Sequence, residues 1–155
     1  MNKVFSILFF ILIISTGLFQ FIRNSEPSIN YERFNLVSPG ILRTPDKRFE
    51  DLKDYPFTPN YLTIGDTRIH YIDEGPKDGQ VIYLLHGEPT WSYLFRKMIP
   101  TLVNEGFRVI APDMVGFGKS DKYISTDDYS HQMHVEKMTQ LIVEHDLKNI
   151  TAHFH

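Results

Sequence analysis

The sequence predicts an α/β fold in which parallel strands and crossover helices follow an opening hairpin. Two alternating segments flank a short loop at residues 65–67, and an uncharged apolar run covers Val81–Leu85. From there to the end of the chain, segments with strand character alternate with segments of helical period. Strands that alternate with helices form parallel sheets with right-handed crossovers. We therefore expect a hairpin, then strand, helix, strand, helix and strand.

Period-two patterns define the first elements. Asn60–Ile64 and residues 68–72 alternate apolar and polar side chains around a Gly-containing loop, which is a hairpin signal. Val81–Leu85 is bounded by turn residues and is typical of a strand buried on both faces. Residues 42–59 combine charges and prolines with aromatic side chains, so we expect an irregular segment laid over the sheet.

Helical periods and capping residues define the later elements. Ser92 is a plausible cap for a helix, and Pro100 should make that helix kink or restart. Its predicted apolar stripe consists of Leu94, Met98 and Leu102. A strand is predicted for residues 107–111, Ser130 caps a second helix, and a last strand begins at Asn149.

The chain is organised around the six residues after its central strand, His86-Gly87-Glu88-Pro89-Thr90-Trp91, here called the oxyanion loop. Open α/β sheets bind their ligands at the carboxyl ends of such strands. Gly87 lets the backbone approach a ligand closely, and Pro89 fixes the loop and is a candidate for a cis peptide bond. Backbone N–H groups in this turn can point at a developing negative charge, so we predict an oxyanion hole.

Composition restricts the function classes. The 155 residues are 42% hydrophobic and 23% charged, which suits one globular domain. A net charge of −3 gives no basic footprint for binding nucleic acid. The chain has no cysteine, which excludes disulfides and thiolate metal sites.

The oxyanion loop and its continuation, H-G-E-P-T-W-S-Y-L-F-R-K-M-I-P, resemble the haloalkane dehalogenases of the α/β-hydrolase superfamily. Two further blocks agree, L-R-T-P-D-K-R-F at residues 42–49 and R-V-I-A-P-D-M-V-G-F-G-K-S-D at residues 108–121. H-G-x-P alone marks the superfamily. The Glu-Pro-Thr-Trp continuation favours dehalogenases over epoxide hydrolases, so the resemblance over residues 41–151 is specific.

The resemblance implies the N-terminal half of an α/β-hydrolase fold, a small halogenated substrate, no cofactor, and cleavage through an Asp ester intermediate. It implies that the backbone N–H of Glu88 contributes to the oxyanion hole and that its side chain holds the hydrolytic water. Trp91 would line the active-site entrance or pack beneath a cap. His86 would hold the loop by hydrogen bonds, and Gly87 and Pro89 would shape it.

The resemblance also predicts what the chain lacks. In the family a Gln-Asp-Trp-Gly-Gly motif, with Asp as the nucleophile, follows the strand that begins here at Asn149. Residues 152–155 instead read Ala-His-Phe-His. Removing a member of a nucleophilic triad costs roughly 10⁴–10⁶ in rate. An α/β-hydrolase with its cap needs roughly 250–300 residues. We therefore expect a fragment truncated before its nucleophile, acid and catalytic His, and inactive alone.

Other candidate residues have simpler expected roles. Asp113, Gly116 and Gly118 fit neither a dinucleotide fingerprint nor a P-loop, so we expect packing and turn roles, with Arg96 pairing with Asp113. Two pairs of histidines have spacings that could bind a metal, His131 with His134 and His153 with His155. No carboxylate stands in a known motif with them, so we expect exposed polar positions and no metal.

The N-terminal part differs in composition from the rest. Basic residues flank an almost wholly apolar stretch that begins at Val4 and ends at Ile22. A membrane-spanning helix needs about 20 such residues, and a signal peptide has the same basic start with a shorter apolar core. We expect residues 1–23 to be an anchor or a signal peptide, or else a buried core helix. An anchor would attach the protein to a membrane, and a signal peptide would direct its export. Residues 24–40 would be a linker, and residues 41–155 a partial hydrolase domain.

Two functions from different classes remain open. The first is a truncated haloalkane dehalogenase, and the second is a membrane-tethered half-domain that binds without catalysis. A fragment of an epoxide hydrolase is a weaker alternative, disfavoured by the Glu between Gly87 and Pro89. The DNA after codon 151 separates the first two, because a second frame encoding Asp-Trp-Gly-Gly would favour the truncated enzyme. The last strand is expected at a sheet edge, which predicts poor solubility.

Overall fold

The computed structural model describes residues 35–155. The strands of this region are β1 (Asn35–Ser38), β2 (Ile41–Arg43), β3 (Asn60–Ile64), β4 (Thr67–Glu74), β5 (Val81–Leu85), β6 (Arg108–Pro112), β7 (Lys122–Tyr123) and β8 (Thr151–Phe154). Its α-helices are α1 (Met98–Asn104) and α2 (His131–Glu144). Short 3-10 turns lie at Asp46–Phe49, Ser92–Phe95 and Thr126–Asp128.

The apolar stretch from Val4 to Ile22, with the anchor or signal predicted for it, lies outside the described residues. Within residues 35–155, no helix combines the length and the apolar character needed to span a bilayer. The first strand, β1, lies inside the segment predicted as a linker, so regular structure begins before residue 41.

The larger sheet has five strands in the order β3-β4-β6-β5-β8. β3 and β4 form the predicted hairpin, with Ile64 opposite Thr67, and β4 pairs antiparallel with β6. β5 pairs in parallel with both β6 and β8. The sheet is therefore mixed, and the prediction of a hairpin joined to parallel strands is confirmed. The carboxyl ends of β5, β6 and β8 lie at one edge, where a site in this type of fold is expected.

Two hydrophobic cores cover the two faces of this sheet. Tyr83 belongs to the core that includes α2, and the next residue, Leu84, belongs to the core that includes α1. Neighbouring side chains of a strand point to opposite faces, and these two are 3% and 0% exposed. The predicted burial of the central strand on both faces is therefore confirmed. The irregular segment before β3 contributes Tyr55 to the α1 core, as expected of a segment laid over the sheet.

The region after the oxyanion loop differs from the prediction. Ser92 does not cap a helix, because its hydroxyl lies 2.7 Å from the Tyr55 hydroxyl. A 3-10 turn forms first, and α1 begins at Met98, so that Pro100 falls in the first turn, where a missing N–H costs no hydrogen bond. The predicted apolar stripe is also wrong in part, since Met98 is 40% exposed and Ile99 is fully buried.

The second helix and the last strand follow the prediction closely. Ser130 is the N-cap of α2, and its hydroxyl accepts a 3.0 Å hydrogen bond from the Met133 N–H. Met138 and Leu141 are the buried residues of α2. β8 lies at the edge of the five-stranded sheet, and all four of its residues are exposed.

Candidate active site

The oxyanion loop follows β5 at the edge where the parallel strands end. A pocket of about 300 Å³ opens beside it, and we call it the loop pocket. Its lining is mostly apolar and comes from the ends of β5 and β6 and from one face of α2. The lining residues are Leu85, Glu88, Met114, Phe117, His131, His134, Val135 and Met138. Glu88 is exposed and contributes the carboxylate of this pocket.

The turn within the loop directs one backbone N–H outward from the turn. The Gly87 carbonyl accepts hydrogen bonds from the Thr90 N–H at 2.9 Å and the Thr90 hydroxyl at 2.7 Å, around a cis peptide bond between Glu88 and Pro89. The Gly87 carbonyl and the Glu88 N–H belong to one trans peptide unit, so they point in opposite directions. Because that carbonyl points into the turn, the Glu88 N–H points out of it. Within residues 35–155 this N–H has no acceptor.

The loop lies directly against the end of β8. A Cβ atom at Gly87 would overlap the backbone carbonyl of His155, so only glycine fits this approach without a shift. The amide of His155 in turn donates to the Leu85 carbonyl at 3.2 Å. The unpaired Glu88 N–H is therefore next to the carboxyl end of the neighbouring parallel strand.

His86 fastens the start of the loop to the segment after β6. Its Nε2 accepts a 3.0 Å hydrogen bond from the Met114 N–H, which leaves the proton on Nδ1, 3.2 Å from the Gly87 carbonyl. Burial lowers the pKa of His86 and outweighs the opposing effect of the bond to Gly87. The ring is thus neutral, with the tautomer that both bonds require. These are the contacts expected of a residue that holds the loop.

Asp113 fastens the end of the loop. It is fully buried, and its carboxylate accepts from the Ser92 N–H at 2.8 Å, the Lys119 N–H at 2.8 Å and His70 Nδ1 at 2.9 Å. Burial alone would raise the pKa of Asp113. The hydrogen bond and charge of His70, together with the two N–H groups, instead hold that pKa below its usual value. Asp113 therefore has the expected structural role, and it fulfils that role as a buried, hydrogen-bonded carboxylate.

The predicted pairing of Arg96 with Asp113 is wrong. The Arg96 guanidinium lies 4.1 Å above the centre of the Tyr93 ring and donates to the Tyr93 carbonyl at 3.1 Å. All three polar partners of the Asp113 side chain lie elsewhere. Tyr93 therefore holds the guanidinium of Arg96 through its ring and its carbonyl, while the buried Arg96 Nε has no partner among the described residues.

The two glycines after Asp113 occupy positions that exclude a side chain. Gly118 has φ +45°, and a Cβ there would overlap the Asp113 carboxylate and lie 2.8 Å from the Trp91 ring. Gly116 has φ +96°, and a Cβ there would lie 2.9 Å from the Tyr129 ring. Both the positive φ angles and the close contacts support the expected turn and packing roles.

Trp91 lies in an aromatic cluster rather than free at an entrance. Its ring stacks on Tyr93 at 5.5 Å and 16°, and the centres of the Tyr55 and Phe49 rings lie 5.3 and 5.4 Å away. It is half-buried and also lines a second pocket of about 250 Å³ outside the loop pocket. Of the two predicted roles, this geometry favours packing.

The histidines do not form a metal site in the part of the chain that the structure describes, where no three His, Cys, Asp or Glu side chains are suitably grouped. His131 is exposed, as are His153 and His155. The expectation is wrong for His134, which is half-buried in the loop pocket with its Nδ1 unpaired among the described residues. Burial lowers its pKa, and His86 and His131 lower it further.

Two buried polar contacts have no signal in the sequence, and one of them, from His70 to Asp113, supports the oxyanion loop. His70 gave no signal, because it is one position in an alternating strand and lies 43 residues from Asp113. Asp121 is 1% exposed, and its carboxylate accepts hydrogen bonds from Nε and Nη2 of Arg43, at 2.7 and 2.9 Å, across 78 residues. Partners so distant in sequence leave no local pattern.

Comparison with known proteins agrees with this geometry. A family model described as alpha/beta hydrolase fold matches residues 80–152. A haloalkane dehalogenase from Psychrobacter cryohalolentis is 55% identical over 116 residues, and one from Mycolicibacterium paratuberculosis is 54% identical over 116 residues. The chain is a partial match, over the N-terminal half, to the haloalkane dehalogenase family. Each of these alignments covers 72% of this chain and 38% of the relative.

Solved structures of haloalkane dehalogenases and epoxide hydrolases resemble the described region to different degrees. The haloalkane dehalogenase from Paraglaciecola agarilytica aligns with a TM-score of 0.69 at 50% identity, over 72% of this chain and 39% of that one. A putative epoxide hydrolase from Klebsiella pneumoniae aligns with a TM-score of 0.56 at 25% identity, over 66% and 35%. The described region therefore has a partial α/β-hydrolase fold with a mixed sheet, and it is more similar to the haloalkane dehalogenase than to this epoxide hydrolase.

Proposed function

We propose that this chain supplies the oxyanion loop of a hydrolase that cleaves carbon–halogen bonds in small haloalkanes. The observation that carries the proposal is the Glu88 N–H, which is unpaired within residues 35–155 and lies beside the end of β8. Donors fixed in advance at such a position stabilise developing negative charge more strongly than water does. The identity of 54–56% to haloalkane dehalogenases supports this substrate class.

The reaction follows from the family resemblance. An Asp carboxylate forms a carbon–oxygen bond to the substrate, and the halide leaves with the electron pair of the broken carbon–halogen bond. A water then attacks the carbonyl carbon of the ester, and the catalytic His of the family takes one of its protons. The ester carbon–oxygen bond breaks, the alkoxide leaves as the alcohol with a proton returned by that His, and the carboxylate is restored when the second proton passes to solvent. In the tetrahedral intermediate of this second step, the Glu88 N–H stabilises the oxyanion. The Glu88 carboxylate, exposed in the loop pocket, holds the attacking water.

Residues 35–155 do not contain a suitable nucleophile in this proposal. Asp113 is the Asp nearest the loop, but its carboxylate is fully buried and bound to three donors. No Asp lies between Thr151 and His155. We therefore propose that the nucleophile comes from sequence outside residues 35–155, as do the acid and the catalytic His that follow it in the family, and that the 155 residues alone are inactive.

A chimera tests the role of Glu88. Residues 1–151 are joined to the part of the Psychrobacter cryohalolentis enzyme that follows the aligned strand, and halide release from a bromoalkane is measured. Glu88→Ala should lower kcat by roughly 10²-fold or more, because it removes the group that positions water. Glu144→Ala, on the exposed side of α2, is the matched control and should retain the parent rate. Equal rates for both variants would refute the role of Glu88.

The same proposal includes a location. The apolar stretch from Val4 to Ile22 is long enough for a membrane anchor or a signal, so the protein is placed at a membrane or exported. Fractionation of cells that express the chain tests this, with deletion of residues 4–22 as the control. Recovery of both forms in the same soluble fraction would contradict it.

A further inference from the structure

The oxyanion loop is fastened at both ends to the segment that follows β6. At its start, His86 Nε2 accepts from the Met114 N–H. At its end, the N–H of Ser92, the residue directly after Trp91, donates to Asp113 Oδ1. Asp113 and Met114 are adjacent, so one short piece of chain fixes both ends of the loop. The direction of the Glu88 N–H between them depends on this attachment.

The Asp113 side of the attachment depends in turn on His70. Oδ2 of Asp113 accepts from His70 Nδ1 and from the Lys119 N–H, while Oδ1 accepts from the loop. His70 and Asp113 are 1% and 0% exposed, so water does not compensate for a lost partner. A buried carboxylate keeps its charge only when it is paired and hydrogen-bonded. His70 is the ionisable side chain that hydrogen-bonds to it.

The local backbone is also shaped around this carboxylate. The N–H of Asp113 donates to the His70 carbonyl at 2.9 Å, and its carbonyl accepts from the Ser120 hydroxyl at 2.6 Å. Because Gly118 has no side chain, the Asp113 carboxylate can occupy the space beside it, and no clash with the Trp91 ring occurs. The backbone and side chain of Asp113 are thus both fixed, and the loop is held at the one oxygen that faces it.

We infer that Asp113 and His70 are positioning residues, which set the direction of the Glu88 N–H through Ser92. His70 acts by holding the Asp113 carboxylate in place, and Asp113 acts by holding the end of the oxyanion loop. This inference rests on the proposed function, because the direction of the Glu88 N–H matters only if that group binds an oxyanion. Its test, however, measures the conformation of the loop and requires no enzymatic activity. A failed halide assay would therefore leave the test intact.

The experiment records amide and indole NMR signals of the full 155-residue chain labelled with ¹⁵N. Trp91 is the only tryptophan, so its indole signal reports the loop without ambiguity. His70→Ala removes the donor to Asp113 and should shift or broaden the signals of Glu88 and Trp91. His70→Asn places an amide N–H where Nδ1 lies, so it should restore them toward the parent positions. Asp113→Asn should shift them as His70→Ala does, because its NH₂ would face a donor.

Asp121→Asn is the matched control. Asp121 is as buried as Asp113, but its side chain binds Arg43 and the Arg68 N–H rather than the loop. It should leave the Glu88 and Trp91 signals in place. Two outcomes would overturn the inference: unmoved loop signals in His70→Ala, or the same shifts in Asp121→Asn, which would indicate a general loss of packing. If Asp113→Asn fails to fold, the pair of His70 variants still decides the question.

Discussion

Gly118 lies between two groups of the candidate site, the Asp113 carboxylate and the Trp91 ring. Gly118→Ala should destabilise the fold by about 2–5 kcal/mol, combining the strain of positive φ with overpacking. Gly106→Ala is the control, since Gly106 also has positive φ but a Cβ there would meet no atom within 4 Å. It should cost only the strain, about 1–2 kcal/mol. Urea unfolding measures both, and equal losses would show that Gly118 is not sterically confined.

We predict that the free energy of unfolding depends on pH through the titration of His86. Its folded-state pKa lies below the ordinary value of 6.5, so the folded protein binds fewer protons at this group than the unfolded chain. The stability it contributes is complete above pH 6.5 and is lost as the pH falls toward the folded pKa. His86→Gln keeps an acceptor for the Met114 N–H but does not titrate.

The measurement is the free energy of unfolding of both proteins between about pH 7 and about pH 5. The parent should lose more stability than His86→Gln over this interval, because protonating Nε2 breaks the bond from Met114. The pKa of His145 is lowered by burial, and His145 is present in both proteins, so it cancels in the difference. The pKa of His134 is lowered by burial and further by His86, so the difference also contains the coupling of His134 to His86. Parallel pH profiles would contradict the neutral, loop-holding state of His86.

At the scale of secondary structure, the start of α2 depends on one hydroxyl. Ser130→Ala removes the acceptor for the Met133 N–H and should cost about 1 kcal/mol. Ser125→Ala deletes the same atom from a cap of the exposed 3-10 turn Thr126–Asp128 and should cost less, because that turn packs little. Thermal unfolding compares them. An equal cost for both would show that the cap of α2 adds nothing specific.

Local patterns predicted most of the strands but not all of the helices. The hairpin, β5 and the cap of α2 have signals contained within a few residues, and these were confirmed. The start of α1 was not foreseen, because Tyr55 takes the Ser92 hydroxyl from 37 residues away. β1, β2 and β7 were missed because they are short and exist through pairing with one another.

In the candidate site, too, the local feature could be predicted from the sequence and the long-range contacts could not. The oxyanion loop could be located from its sequence, since a Gly and a Pro directly after a buried strand have few structural alternatives. Its support could not, because the bond from His70 to Asp113 joins separate strands across 43 residues. For Arg96 the prediction was wrong in another way. Its charge suggested an ion pair with Asp113, but its guanidinium lies over the aromatic ring of Tyr93 instead.

At the scale of the whole molecule, β8 is an exposed edge strand without a Lys, Glu or Pro. Such edges pair with other chains and promote aggregation. Phe154 is 69% exposed on this edge, so Phe154→Lys should lower light scattering by the concentrated protein. Val143→Lys is the control, since Val143 is 68% exposed but lies on α2. If Val143→Lys suppresses scattering equally, general surface charge and not the strand edge controls association.

We propose that residues 35–155 build a site for negative charge and that its nucleophile comes from other sequence. Halide release by the purified 155-residue chain, measured beside the chimera that continues into a dehalogenase relative, tests this most directly. We expect a rate at background for the chain alone and release well above background for the chimera. Chloride or bromide release by the chain alone at a rate like that of the chimera would contradict it.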